Sequence, residues 1–222
     1  MNALRHTLGI IGGTGSLGTG LARRWAKAGH SIIVGSRSAD RARARATALR
    51  EELGASDVTG GLNVDAASAE IVVLAIPYAQ HQATVTEIAE FVRGKIVIDC
   101  TVPLLPPKVS RVQLPPEGSA AKAAQDVLGP DVRVVSAFQT VAAAHLADLE
   151  HSLDNDVLVC GNDPAARETV IGLVEAIGMR GLHAGPIENS AASEALTSVL
   201  IFINRHYRAD GAGLKIAGVP EE

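Results

Sequence analysis

The chain has 222 residues, 47% of them apolar and 20% charged, with a net charge of −4. That balance excludes a disordered chain, and without a basic stripe it argues against nucleic acid as a partner. The two cysteines, Cys100 and Cys160, are far apart and outside any C-x-x-C, which argues against a disulfide or zinc framework. No apolar run reaches the ~20 residues of a membrane span. A first strand within the first ten residues leaves no room for a signal peptide, so the expected compartment is the cytoplasm.

The first element sets the class. Apolar Leu8-Gly9-Ile10-Ile11 runs into G-x-G-x-x-G at Gly13, Gly15 and Gly18. In a strand–turn–helix context Gly13 permits the tight turn and Gly15 lets the backbone approach a pyrophosphate. Gly18 lets the helix pack closely, and the helix N-terminus presents free N–H groups to the anion. The pattern predicts a helix over Ser16–Ala28, with Leu17, Leu21 and Trp25 toward the sheet and Gly29 ending it. The second strand, Ser31-Ile32-Ile33-Val34-Gly35, ends in Ser36-Arg37. An NAD site places a carboxylate there, about 20 residues past the glycines. A hydroxyl and a guanidinium instead suit a 2′-phosphate, and Arg41 lies one helical turn on. The residues therefore read as an NADP site.

Strand and helix patterns then alternate, which predicts an α/β fold: a Rossmann-type, doubly wound, mostly parallel sheet. A helix is expected over Ala39–Leu53, ending at Gly54. The apolar run Glu70–Ile76 reads as a central strand stopped by Pro77, followed by a helix over Gln80–Val92 and a strand over Lys95–Asp99. Five prolines make 103–117 a long loop. Ser119 reads as the N-cap of a helix through Leu128. Strands over Val132–Ser136 and Val157–Cys160 follow, then a helix from Pro164 to near Ile177, a strand over Gly181–Ala184 and a last helix over Ala191–Tyr207. That helix carries Leu196, Val199, Leu200 and Ile203 on one face, with Ile201 and Phe202 on another. Two apolar faces call for two partners, which predicts a homodimer.

These residues resemble the coenzyme F420-dependent NADP oxidoreductases. The matching pieces are Gly12–Gly18, Val34–Arg37, Ala75-Ile76-Pro77-Tyr78, Val134–Phe138, Val159-Cys160-Gly161 and Ala184-Gly185-Pro186, leading to Asn189-Ser190 and Glu194–Thr197. The last stretch is the most specific, because general Rossmann chemistry does not demand it. The resemblance implies hydride transfer between NADPH and an 8-hydroxy-5-deazaflavin. It implies that Thr14, Gly15, Ser16 and Leu17 hold the pyrophosphate, and that Ser36, Arg37 and Arg41 hold the 2′-phosphate. Ile76 and Ala137 would touch the nicotinamide side, with Pro77 counted among the cofactor contacts. It places the deazaflavin in a cleft between residues 1–186, the NADP-binding domain, and residues 187–222, a small helical segment. Tyr78 and Gln139 belong to that second-substrate pocket; they stand where the archaeal pattern has Trp and His.

No Ser-His-Asp pattern, paired-carboxylate spacing or metal-ligand spacing is present, as expected of an enzyme that works by positioning two rings. No residue is assigned a catalytic role and no metal is expected. His81 and His145 read as helix caps or surface residues, and the other five histidines as structural. Tyr78 could line a ring pocket; Phe138 reads as core. Gln139 could donate to a carboxamide or a deazaflavin carbonyl, or begin a helix. The alternatives are an NADPH-dependent reductase of an imine or other small electrophile, and a non-catalytic NADP-binding protein.

Overall fold

A computed structural model describes residues 4–54 and 57–220. Strand β1 (Thr7–Ile11) enters the glycine turn and α1 (Ser16–Lys27) leaves it, stopping at Lys27 because Gly29 takes a left-handed φ of 94°. Strand β2 (Ser31–Ser36) leads to α2 (Ala39–Leu53), bounded as the sequence predicts. Ser38 Oγ accepts the Arg41 N–H at its start, and Gly54 ends it in the left-handed conformation. Next come two elements the sequence reading did not contain, β3 (Val58–Leu62) and α3 (Asn63–Ala67). A side chain at Gly60 would put its Cβ 2.3 Å from the Ala42 carbonyl oxygen, so α2 packs onto β3 only over a bare backbone.

Strand β4 (Ile71–Leu74) is fully buried, and α4 (Tyr78–Ile88) starts at Tyr78, two residues before the expected start. Strand β5 (Ile96–Asp99) is followed by the proline-rich loop, then by α5 (Ala120–Leu128) with Ser119 Oγ accepting the Lys122 N–H at 2.9 Å. Strand β6 (Arg133–Ser136), short α6 (Ala143–Ala147), β7 (Asp156–Gly161), α7 (Pro164–Glu175), β8 (Arg180–His183) and α8 (Ser190–Tyr207) complete the chain.

The sheet order is β3-β2-β1-β4-β5-β6-β7-β8. Every neighbouring pair is parallel except β6 and β7, which meet antiparallel at Val135↔Gly161 and Ser136↔Cys160. Successive strand residues point to opposite faces, so two cores form. One joins Leu8, Ile10 and Val34 to α1, α2 and α7; the other joins Ile11, Val72 and Val97 to α4 and α5. Trp25 anchors the first, fully buried, with its indole N–H donating to the Leu173 carbonyl at 2.8 Å and Phe138 edge-on at 5.6 Å. Removing such a ring costs about 3–5 kcal/mol.

Helix α8 differs from the expected two-faced apolar helix. Its buried residues are Ser190, Ser193, Glu194, Ser198 and Leu200, while Val199 and Phe202 are exposed, Phe202 by 56%. The face turned to the protein is mostly polar, and part of the apolar surface looks outward. Among the described residues, no helix is long and apolar enough to cross a membrane.

Candidate active site

The glycine turn sits at the C-terminal edge of the parallel strands, where open α/β sheets bind ligands. Its left-handed residue is Gly12, with φ 80°, rather than Gly13. Gly13 is needed for a different reason: a Cβ there would lie 2.8 Å from the Ile10 carbonyl oxygen. At Gly18 a Cβ would meet the Gly12 oxygen at 2.5 Å, so the expected close helix packing is present. At Gly15 a Cβ would meet only the Gly12 oxygen, at 3.3 Å, and otherwise face open space. Gly15 is also the N-cap of α1, and Thr19 is the first helix residue whose N–H reaches back to it. The N–H groups of Ser16, Leu17 and Gly18 lie before that bond, with no acidic side chain in the first turn to satisfy them.

A cavity of about 560 Å³ opens there. It brings together Thr14, Gly15, Ser36, Arg37, Arg41, Ile76 and Pro77, from three separate stretches of chain. Arg37 and Arg41 are exposed on its rim. The nearby acid, Asp40, lies against Arg43 instead. This rim of the cavity is therefore cationic, which suits a phosphate better than a bare diol held by a carboxylate. Asn63, Gln80 and Thr84 also line this cavity. The sequence reading missed Asn63 because it missed β3, whose end delivers it.

Not every expected residue lies on the cavity wall. Leu17 is half-buried and packs on the core beneath α1. Ala137 is fully buried, and Gln139 is 5% exposed. The Gln139 side-chain amide donates to the Asp99 carbonyl at 2.8 Å, and the Gln139 backbone carbonyl accepts from Thr197 Oγ1 at 2.9 Å. Tyr78, half-buried, begins α4 beside Pro77 with its ring stacked on His81.

His81 itself corrects the sequence reading. It is neither cap nor surface residue: it is 2% exposed, with Nε2 2.6 Å from Asp99 Oδ2. Burial opposes its charge, but the bond and charge of Asp99, with Glu194 behind, raise its pKa above the ordinary histidine value. Glu194 of α8 is also buried, its carboxylate accepting the Ala120 and Ala121 N–H groups at 2.7 and 3.1 Å, the N-terminus of α5. Burial pushes its pKa up to about 8, against the pull of those two N–H groups; Asp99 adds to the rise and His81 opposes it. The sequence showed no paired carboxylates, yet Asp99 and Glu194 sense one another across 95 residues. The one available signal was Asp99 itself, a carboxylate closing an otherwise apolar central strand.

A larger cavity, about 710 Å³, lies at the far edge of the sheet among Asp156, Arg180 and Lys215. There Arg180 and Asp156 bind each other at 2.6 Å and tie down the C-terminal segment through the Ile216 carbonyl and N–H. It has no glycine turn.

Fold and site thus define a Rossmann-type nucleotide-binding protein with a 2′-phosphate-compatible rim. A family model described as NADP oxidoreductase, coenzyme F420-dependent, matches residues 7–103. An F420-dependent NADP reductase of Methanocaldococcus jannaschii is 40% identical over 96% of this chain and 98% of its own length. One from Methanothermobacter thermautotrophicus is 37% identical over 97% and 96%. A crystal structure of a candidate F420-dependent NADP reductase from Arthrobacter aligns with a TM-score of 0.80 at 28% identity, covering 96% and 99% of the two chains. The chain belongs to the coenzyme F420-dependent NADP oxidoreductase family, and it is an NADP-dependent oxidoreductase.

Proposed function

We propose that the protein transfers a hydride between NADPH and an 8-hydroxy-5-deazaflavin, coenzyme F420. The observation that carries this is the single cavity joining the glycine turn, the Ser36-Arg37 rim and Ile76-Pro77, in a chain so similar to reductases of that name. When bound, the nicotinamide supplies the hydride. The protein's part is to hold the two rings face to face and exclude water.

In this reading Gly13, Gly15 and Gly18 shape the pyrophosphate seat. Thr14, Ser16 and Leu17 contribute the backbone N–H groups at the start of α1. Ser36, Arg37 and Arg41 take the 2′-phosphate, while Ile76 and Pro77 wall the nicotinamide. Ala137 and Gln139 form the floor under the rings rather than a wall, and Tyr78 borders the deazaflavin. Residues 1–186 bind NADP, and residues 187–222 complete the second-substrate cleft. The exposed Val199 and Phe202 on α8 support a homodimer whose C-terminal helices face each other. We place the enzyme in the cytoplasm, acting on small molecules and not on nucleic acid.

Mixing experiments test this. NADPH should lose its nicotinamide absorbance only when the oxidised deazaflavin is added. Oxidation by cyclic imines instead would make the protein an imine reductase. Tight NADPH binding without turnover by any acceptor would make it a sensor.

A further inference from the structure

Below the cavity lies a set of buried titratable groups that nucleotide binding does not use. Asp99 ends β5 with no exposed surface. Its Oδ2 meets His81 Nε2 at 2.6 Å, and its Oδ1 accepts the Thr101 N–H at 2.9 Å. A carboxyl group with no exposed surface needs such partners. A carboxylate only accepts, so Nε2 of His81 carries the shared proton as a donor. The nitrogen that gains or loses a proton is then Nδ1, and no described residue forms a hydrogen bond to it. This is an acid–base imidazole oriented by a carboxylate.

Its position gives it a task. His81 lies in the first turns of α4, whose Gln80 and Thr84 line the cavity. Its ring stacks on Tyr78, 6.3 Å between centroids and 23° between planes. Asp99 pairs in register with Leu74 and Ser136, at the strand ends below the cavity. The acidic groups acting on His81 are Asp99 from β5 and Glu194 from α8. Helix α5 brings only the Ala120 and Ala121 N–H groups, which Glu194 takes, because Lys122 is turned outward to Asp126. Asp65 of α3 is bound to the Leu62 N–H.

We propose that His81, oriented by Asp99, is the proton-holding residue of the hydride transfer. The proposal rests on the reaction given above. That reaction needs more than a hydride: NADPH, the oxidised deazaflavin and one proton give NADP⁺ and the reduced deazaflavin. NADPH is oxidised by two electrons and the deazaflavin is reduced by two. The proton leaves His81 as the Nδ1–H bond breaks and, relayed by solvent, forms the new N–H bond of the reduced deazaflavin; the imidazole becomes neutral with its Nε2–H still donated to Asp99, and bulk solvent restores the Nδ1 proton between turnovers. Because His81 is nearly buried and lies outside the cavity wall, it touches neither ring and acts through that relay. It holds positive charge beside the pocket that receives negative charge with the hydride.

The test uses His81→Gln and Asp99→Asn in the full chain. Gln keeps a donor for Asp99 but cannot hold the proton. The rate of NADPH oxidation by the deazaflavin in the wild type should fall as pH rises through the His81 pKa. His81→Gln should lose that inflection and lose about 10²-fold in kcat at the acid end, with NADPH affinity and melting temperature close to wild type. By NMR, the His81 ring should titrate above the ordinary histidine range, and Asp99→Asn should move both that titration and the kinetic inflection to lower pH. If His81→Gln does not fold, the wild-type and Asp99→Asn arms decide. An unchanged inflection in His81→Gln, or a His81 ring that titrates at the ordinary value or stays neutral throughout, overturns the proposal. A wild type that does not oxidise NADPH with the deazaflavin overturns the reaction instead, and the NMR titration still reports on His81.

Discussion

Replacing Glu194 by Gln tests the buried acid cluster through stability alone. Glu194 has a folded pKa of about 8, raised by burial, whereas an unfolded glutamate titrates near ~4.3. Between those values the folded state holds a proton that the unfolded state does not. Stability from this group is therefore full below the unfolded pKa and is lost as pH rises to the folded pKa, at about 1.36 kcal/mol per unit. From pH 6 to 8 the loss is about 2–3 kcal/mol. Gln cannot titrate, but its amide would set an N–H₂ against one of the two N–H groups that Glu194 now accepts, a penalty of about 1–3 kcal/mol. At pH 6 the variant should be the less stable by that penalty. Near pH 9 the two proteins should be equal, or the variant the more stable. Urea midpoints measured across that range give the difference directly. His81 also destabilises toward alkaline pH in both proteins, less so in the variant, where Glu194 no longer helps to raise its pKa. Stability curves that stay parallel from pH 6 to 9 would show that Glu194 does not fold with a bound proton.

Three further outcomes are expected. Arg37→Ala should weaken NADPH binding about ten- to a hundredfold, the value of one charge-assisted bond of roughly 1.5–3 kcal/mol, and spare NADH; equal losses in titrations with both would remove Arg37 from the 2′-phosphate. Gly15→Val should abolish NADPH binding with an unchanged circular dichroism spectrum, since its Cβ faces open space. Gly18→Ala should instead destabilise the fold by about 1–3 kcal/mol in denaturant titrations, and the reverse pattern would contradict the turn geometry. Phe202→Asp should yield a folded monomer by light scattering, because Phe202 is 56% exposed in one subunit; a wild type that is monomeric at micromolar concentration would end the dimer reading.

The sequence is legible where local chemistry dictates structure. Helix α2 matches residue for residue because Ser38 and Gly54 mark its ends, and the cavity rim follows from Ser36-Arg37 at a strand end. Strand β3 is hidden because Gly60 and Gly61 read as a turn, although they are glycines so that α2 and Asp65 can approach. Helix α3, five residues long, is too short to show a period. The His81–Asp99–Glu194 cluster draws on α4, β5 and α8, and no spacing rule reaches that far along a chain. The polar inner face of α8 stayed hidden for the same reason: Ser190, Ser193 and Glu194 look like a solvated stripe until α5 and β7 are in place.

Phe138 ties these parts together mechanically. It is a buried phenylalanine with φ 73°, a left-handed conformation that costs a non-glycine residue roughly 1–2 kcal/mol. The ring thereby points into the core against Trp25, and the next side chain, Gln139, reaches the Asp99 carbonyl. The core aromatic pair thus acts as a counterweight that keeps the site floor in register. A substitution at Trp25, on the opposite side of the sheet from His81, would loosen that floor without touching any residue of the cavity.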